Sequence, residues 1–128
     1  MSVEAVAYLR YSTRHQSEVT MMNQRRKIEE ESKVRGFAVK DWYPDRACSG
    51  RTSKRPYFEK MLNEARNGPT WSAILVYDYS RFSRNYKDAI KYIEELNSLG
   101  ISVVSMTEDY DAYSKSIWKD SEEYAQVG

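Results

Sequence analysis

The sequence predicts an α/β fold, an open, mostly parallel sheet with helices on both faces. Three observations carry that expectation. Four short runs of β-type residues recur along the chain, at Ala5 to Leu9, Phe37 to Tyr43, Ala73 to Tyr77 and Ile101 to Met106. Segments of helical length separate them, so strand and helix alternate as β-α-β-α-β-α-β, the pattern of parallel strands joined by crossover helices. No internal repeat or linker interrupts the 128 residues, which at roughly 100–200 residues per domain make one domain.

Each element has its own local signal. The first strand, Ala5-Val6-Ala7-Tyr8-Leu9, is short and apolar, and a helix over Thr20 to Arg35 follows it, closed by Gly36. The second strand runs from Phe37-Ala38-Val39 through Trp42-Tyr43. The second helix, Pro56 to Asn67, is the clearest: Phe58, Met61, Leu62 and Ala65 recur at i, i+3, i+4 and i+7, Pro56 sits in the first turn, and Gly68-Pro69 lie beyond the end. Ala73-Ile74-Leu75-Val76-Tyr77 is the third strand, and Asn85 to Leu99 is a helix with Tyr86, Ile90 and Ile93 on one face, stopping before Gly100. The fourth strand is Ile101 to Met106, and the tail starts a further helix near Ser116. Phe58, Met61, Leu62 and Trp71 are expected in the core.

Composition narrows the class. Charged residues make up 30% and aromatics 13%, with five Gly and three Pro, which does not fit collagen-like, low-complexity or disordered chains. The sequence holds no run of 18 apolar residues and no basic, signal-like N-terminus, so the expectation is a cytoplasmic protein without a membrane partner. A single cysteine, Cys48, and a single histidine, His15, make neither an intramolecular disulfide nor a Cys/His zinc site, and no metal or cofactor site is expected. The net charge of +1 hides an uneven distribution: residues 107–128 carry two Lys against six acidic residues, which leaves the rest at +5. A mildly basic body permits a polyanionic partner.

In an open parallel sheet, ligands bind beyond the carboxyl ends of the strands. The residues there are polar: Arg10, Ser12, Arg14 and Gln16 after the first strand, Asp45, Arg46, Ser49, Gly50, Arg51 and Arg55 after the second, Asp78, Ser80, Arg81, Ser83 and Arg84 after the third, Thr107 and Glu108 after the fourth. Strand alternation puts Tyr8, Arg10 and Ser12 on one face. If the segment after the third strand turns helically, Arg81 and Arg84 become neighbours. Clustered guanidiniums repel one another unless an anion sits among them, and their planar forks match phosphate oxygens bidentately. A serine aimed into such a pocket suggests attack on phosphorus. On these residues alone, a turn-capping role for Ser12 and a solvated helix start for Arg81 and Arg84 account for them equally well.

Three motifs sharpen the reading. Tyr8-Leu9-Arg10-Tyr11-Ser12 followed by Gln16, then Asp45-Arg46-Ala47-Cys48-Ser49-Gly50 with Arg55-Pro56, then Ser80-Arg81-Phe82-Ser83-Arg84 occur in order and at fitting spacings across about residues 3–108. Together they resemble the signatures of the serine recombinases, the resolvase/invertase and large serine integrase group. The resemblance implies a resolvase-like catalytic domain that cuts double-stranded DNA by serine attack, leaving a 5′-phosphoserine link and a free 3′-hydroxyl, followed by strand exchange and religation without a cofactor. It implies Ser12 as nucleophile, Arg10, Arg81 and Arg84 around the scissile phosphate, Arg55 as a further phosphate contact, and Tyr8, Gln16, Asp45 and Ser80 in support. It also implies a homodimer and tetramer in the full-length protein, with residues 1–128 ending before a long dimerising helix and a DNA-binding domain.

One departure stands out. Where the family often has Asp directly before the first arginine of the third motif, this chain has Ser80, with Asp78 two positions earlier. That keeps a second reading in view, a recombinase-like DNA-binding or interaction fragment without activity. A response-regulator-like receiver shares the alternating architecture but needs an acidic pair after the first strand and a lysine after a fifth, and the chain offers neither.

Overall fold

A computed structural model describes residues 2–11, 18–46 and 54–115. In chain order the elements are β1 (Val3–Arg10), α1 (Glu18–Arg35), β2 (Phe37–Asp45), α2 (Pro56–Arg66), β3 (Ala73–Val76), α3 (Tyr79–Phe82), α4 (Tyr86–Ser98) and β4 (Ser102–Ser105). The four strands form one sheet in the order β2-β1-β3-β4, and every pairing is parallel. Alanines and valines at the centre set the register, with Ala5 facing Ala73 and Ala73 facing Ser102. On the β2 side the register slips by one residue, since Ala5 faces Val39 but Val6 faces Asp41, and Lys40 is the extra residue of a bulge. That bulge lets β2 run unbroken through the polar Lys40-Asp41 pair that separates its two apolar stretches.

Alternation along β1 divides the core in two. Val6 and Tyr8 point to the face covered by α2, α3 and α4, where they join Phe58, Met61, Ile74, Val76, Phe82, Ile93 and Leu96. Ala5, Ala7 and Leu9 point to the other face, where Met21 and Ile28 of α1 pack with Ala73, Leu75 and Met106. The small side chains on the α1 face let that helix lie close to the sheet, and Phe58, edge-on to Tyr8, Phe82 and Tyr92 at 5.1–5.3 Å, fills the larger space on the other. Trp71 is buried at the approach to β3, as expected. Gly36, with φ of 80°, makes the left-handed turn that closes α1.

Several boundaries differ from the sequence reading: β1 and β2 run on through Arg10 and Asp45, which were read as lying after their strands, and α1 starts at Glu18, two residues before Thr20. A one-turn helix, α3, occupies the segment after β3, and helical residues begin at 110, six before Ser116. Among the described residues no helix is long and apolar enough to cross a membrane.

Candidate active site

The chain leaving β1 goes to α1 on one face of the sheet, and the chain leaving neighbouring β3 goes to α3 and α4 on the other. A crevice therefore opens beyond the carboxyl ends of β1 and β3, the usual ligand position in such a sheet. Arg10 is the last residue of β1, and α3 begins three residues after β3.

Arg10 and α3 hold each other. Arg10 Nε donates to the carbonyl of Arg81 at 3.0 Å and Arg10 Nη2 to that of Ser80, while Arg81 Nη1 donates back to the Arg10 carbonyl at 3.2 Å. Arg10 is thereby withdrawn from solvent: the residue is 4% exposed, because its guanidinium lies under the α3 turn. Burial lowers its pKa from the ordinary arginine value, and the guanidiniums of Arg55, Arg81 and Arg84 lower it further, against an opposing pull from Tyr8. Three further cations thus act on Arg10.

Arg55 enters from the start of α2. Its guanidinium stacks 3.6 Å from the Phe58 ring, lies 5.8 Å from that of Tyr8, and donates through Nη1 to the Phe82 carbonyl. Arg81 is half-buried beside Asp78, whose carboxylate caps α3 by accepting from the Arg81 backbone N–H at 3.2 Å and from the Ser80 hydroxyl. Asp78 therefore reaches Ser80, the position where the family often has Asp. Helical geometry stops at Phe82, and Ser83 is extended at φ −156° and ψ 141°, so Arg81 and Arg84 are not helical neighbours as the spacing suggested. Arg84 is exposed and borders an open cleft of about 330 Å³ with Asp78, Ser80 and Glu108.

Asp45 and Tyr8 form the floor. The Asp45 carboxylate, 1% exposed, accepts from the Tyr8 hydroxyl at 2.8 Å and from the backbone N–H groups of Tyr57 and Phe58 at 3.0 Å each. It thereby caps α2, where Arg55 at the cap position makes no side-chain cap and Pro56 at N1 has no N–H to offer. Burial pushes the Tyr8 phenol up; Arg55 pulls it partly back and the Asp45 carboxylate pushes it up again, so it stays a donor at neutral pH. Asp45→Ala leaves three donors without their acceptor and should cost about 3–5 kcal/mol, read as a lower urea midpoint. Asp45→Asn, which keeps one acceptor oxygen, should fall between.

Gln24 was not among the residues singled out from sequence. Its buried carboxamide accepts from the Arg10 N–H at 3.3 Å and donates to the Arg10 carbonyl at 3.0 Å, acting as a one-residue neighbouring strand at the end of β1. The only signal for it was its place in the buried stripe Met21, Gln24, Ile28, Ser32. Ser12, Gln16, His15, Cys48, Ser49, Gly50 and Arg51 lie outside the described residues.

Comparison with known proteins places the chain in a family. Residues 5–118 match the family described as resolvase, N-terminal domain. The chain belongs to that family. It is 34% identical over 80 residues to the transposon Tn552 resolvase of Staphylococcus aureus, a match covering 62% of this chain and 39% of that protein. The Tn552 DNA-invertase BinR of the same organism is 39% identical over 61 residues, covering 48% of this chain and 30% of the relative. The chain thus spans well under half the length of these relatives. Among solved structures, the N-terminal catalytic domain of TP901-1 integrase superposes with a TM-score of 0.75 at 20% identity, over 97% of both chains. A resolvase family site-specific recombinase from Streptococcus pneumoniae gives 0.73 at 20% identity, over 98% of this chain and 92% of that one. These likenesses establish the serine recombinase catalytic-domain fold, and membership of the family sets the receiver-like alternative aside.

Proposed function

We propose that this domain cuts and rejoins double-stranded DNA, with Ser12 as nucleophile and no metal or nucleotide cofactor. The observation that supports it best is the gathering of Arg10 and Arg55 against the α3 turn that carries Arg81, with Arg84 lining the adjoining cleft, beyond the end of β1 and two residues before Ser12 in sequence. Ser12 Oγ attacks phosphorus and gives up its proton to a base, the bond from phosphorus to the 3′-oxygen breaks, and that oxygen takes a proton. The products are a 5′-phosphoserine and a 3′-hydroxyl. Charge gathers on the non-bridging oxygens in the transition state, and guanidiniums already fixed by the carbonyls of Ser80, Arg81 and Phe82 stabilise it without reorganising. Religation reverses the step, since the phosphoserine conserves the energy of the phosphodiester.

In this reading the domain works within a longer protein that forms a dimer and then a tetramer on its DNA. A suicide DNA substrate, nicked so that the cut end diffuses away, should trap a covalent adduct with that protein in the presence of EDTA. Digestion should place the phosphate on Ser12. Cleavage without a covalent adduct, or an adduct on another residue, overturns the reading. Residues 1–128 alone should bind DNA weakly and without sequence preference, and log K should fall against log salt with a slope of about −3 for three or four phosphate contacts. Tight, sequence-selective retention in a shift assay would place recognition inside this domain instead.

A further inference from the structure

A four-residue helix such as α3 does not sustain itself, because one turn orders three residues for a single hydrogen bond. Its carbonyl side is held by Arg10 and Arg55, as described above. Its amino side is held by a segment to which the motifs assign no part. Glu108, after β4, accepts the backbone N–H of Tyr79 through Oε1 at 2.8 Å. Glu108 is itself placed by Ser105, whose Oγ accepts the N–H groups of Glu108 at 2.9 Å and Thr107 at 3.1 Å. The hydroxyls of Ser105 and Thr107 both donate to the carbonyl of Tyr77 at the exit of β3, at 3.2 and 2.8 Å. The exits of β3 and β4 are therefore fastened together directly beneath α3.

Rings add a second fastening. The helical residues from 110 bring Tyr113 to 4.5 Å from the ring of Tyr79, the first residue of α3, and Tyr110 to 5.8 Å from the same ring. Tyr86, the first residue of α4, lies 5.4 Å from Tyr113. Tyr79 and Tyr113 are 2% and 7% exposed, so the contact belongs to the interior. Four of the eleven tyrosines thereby gather on the one turn that carries Arg81 and leads to Arg84.

We infer that Glu108, with Tyr113 behind it, is a positioning residue for Arg81 and Arg84: it fixes the amino end of α3 so that the arginines face the phosphate, and it carries the orientation of the segment after β4 into the site. The inference rests on the cleavage reading for its consequence, but not for its first measurement. Glu108 is exposed, so its replacement should leave the fold intact. In Glu108→Ala, amide hydrogen exchange over residues 79–83 should quicken about five- to tenfold while the core of α2 and β1 keeps its protection. Glu108→Gln retains the accepting oxygen and should stay close to wild type. In the longer protein, single-turnover cleavage by Glu108→Ala should fall about ten- to a hundredfold at unchanged DNA affinity, because small displacements of positioning groups act on rate; Gln should restore it. Tyr113→Leu, which removes the ring packed on Tyr79, should fall with Glu108→Ala. Wild-type exchange at residues 79–83 in Glu108→Ala overturns the inference, as does faster exchange with undiminished cleavage. A wild type that forms no DNA adduct overturns the cleavage reading, while the exchange arm still decides whether Glu108 holds α3.

Discussion

Ser12→Ala should abolish the covalent DNA adduct while leaving the melting temperature and the circular dichroism unchanged. Removing the hydroxyl nucleophile of an enzyme that forms a covalent intermediate costs about 10⁶-fold in rate, which in a trapping assay reads as no adduct. The position argues for so large an effect. Arg10, two residues earlier in the chain, has its N–H and carbonyl clamped by Gln24, and its carbonyl also accepts from Arg81, so the end of β1 is held in place. If Ser12 is the nucleophile, as proposed, orientation contributes much of the rate it supplies. The alanine protein should still bind DNA with the wild-type salt dependence, because the cations are intact. An adduct of undiminished yield from Ser12→Ala would move the nucleophile elsewhere and end the assignment.

Much of the fold was legible because the strands follow simple alternation. Val6 and Tyr8 face one layer and Ala5, Ala7 and Leu9 the other, as period 2 requires. The apolar stripe Phe58, Met61, Leu62, Ala65 of α2 is buried throughout. What escaped depends on contacts distant in sequence. α1 buries Gln24 and Ser32 alongside Met21 and Ile28, so its inner face does not look apolar, and the value of Gln24 lies in the β1 backbone 14 residues away. α3 has no periodic pattern to read, and its helicity comes from Arg10, Arg55, Asp78 and Glu108 supplying partners to its ends. The burial of Arg10 was not legible for the same reason: the carbonyls that close over its guanidinium lie 70 and 71 residues later in the chain.

That burial separates the arginines, which the sequence placed in one group. Arg84 is exposed beside the cleft, so Arg84→Ala should change stability by no more than about 0.5 kcal/mol. Single-turnover cleavage should nonetheless fall about 10²–10³-fold, the usual loss when one preorganised charge-stabilising donor is removed. Arg10→Ala should lower both quantities. It deletes the two donors that hold the carbonyls of Ser80 and Arg81, and hydrogen bonds from a charged group contribute about 1.5–3 kcal/mol each. Against that loss stands relief of repulsion from Arg55, Arg81 and Arg84 and of the cost of burying a cation, so a net loss of about 2–4 kcal/mol is expected. Arg10→Lys should recover little, since an ammonium does not span both carbonyls with the geometry of Nε and Nη2. Urea unfolding beside single-turnover cleavage, measured at a temperature where every variant is folded, separates the two effects. If Arg84→Ala cleaves at the wild-type rate while Arg10→Ala is unstable yet fully active when folded, the cluster is a device for holding α3 and the scissile phosphate lies elsewhere.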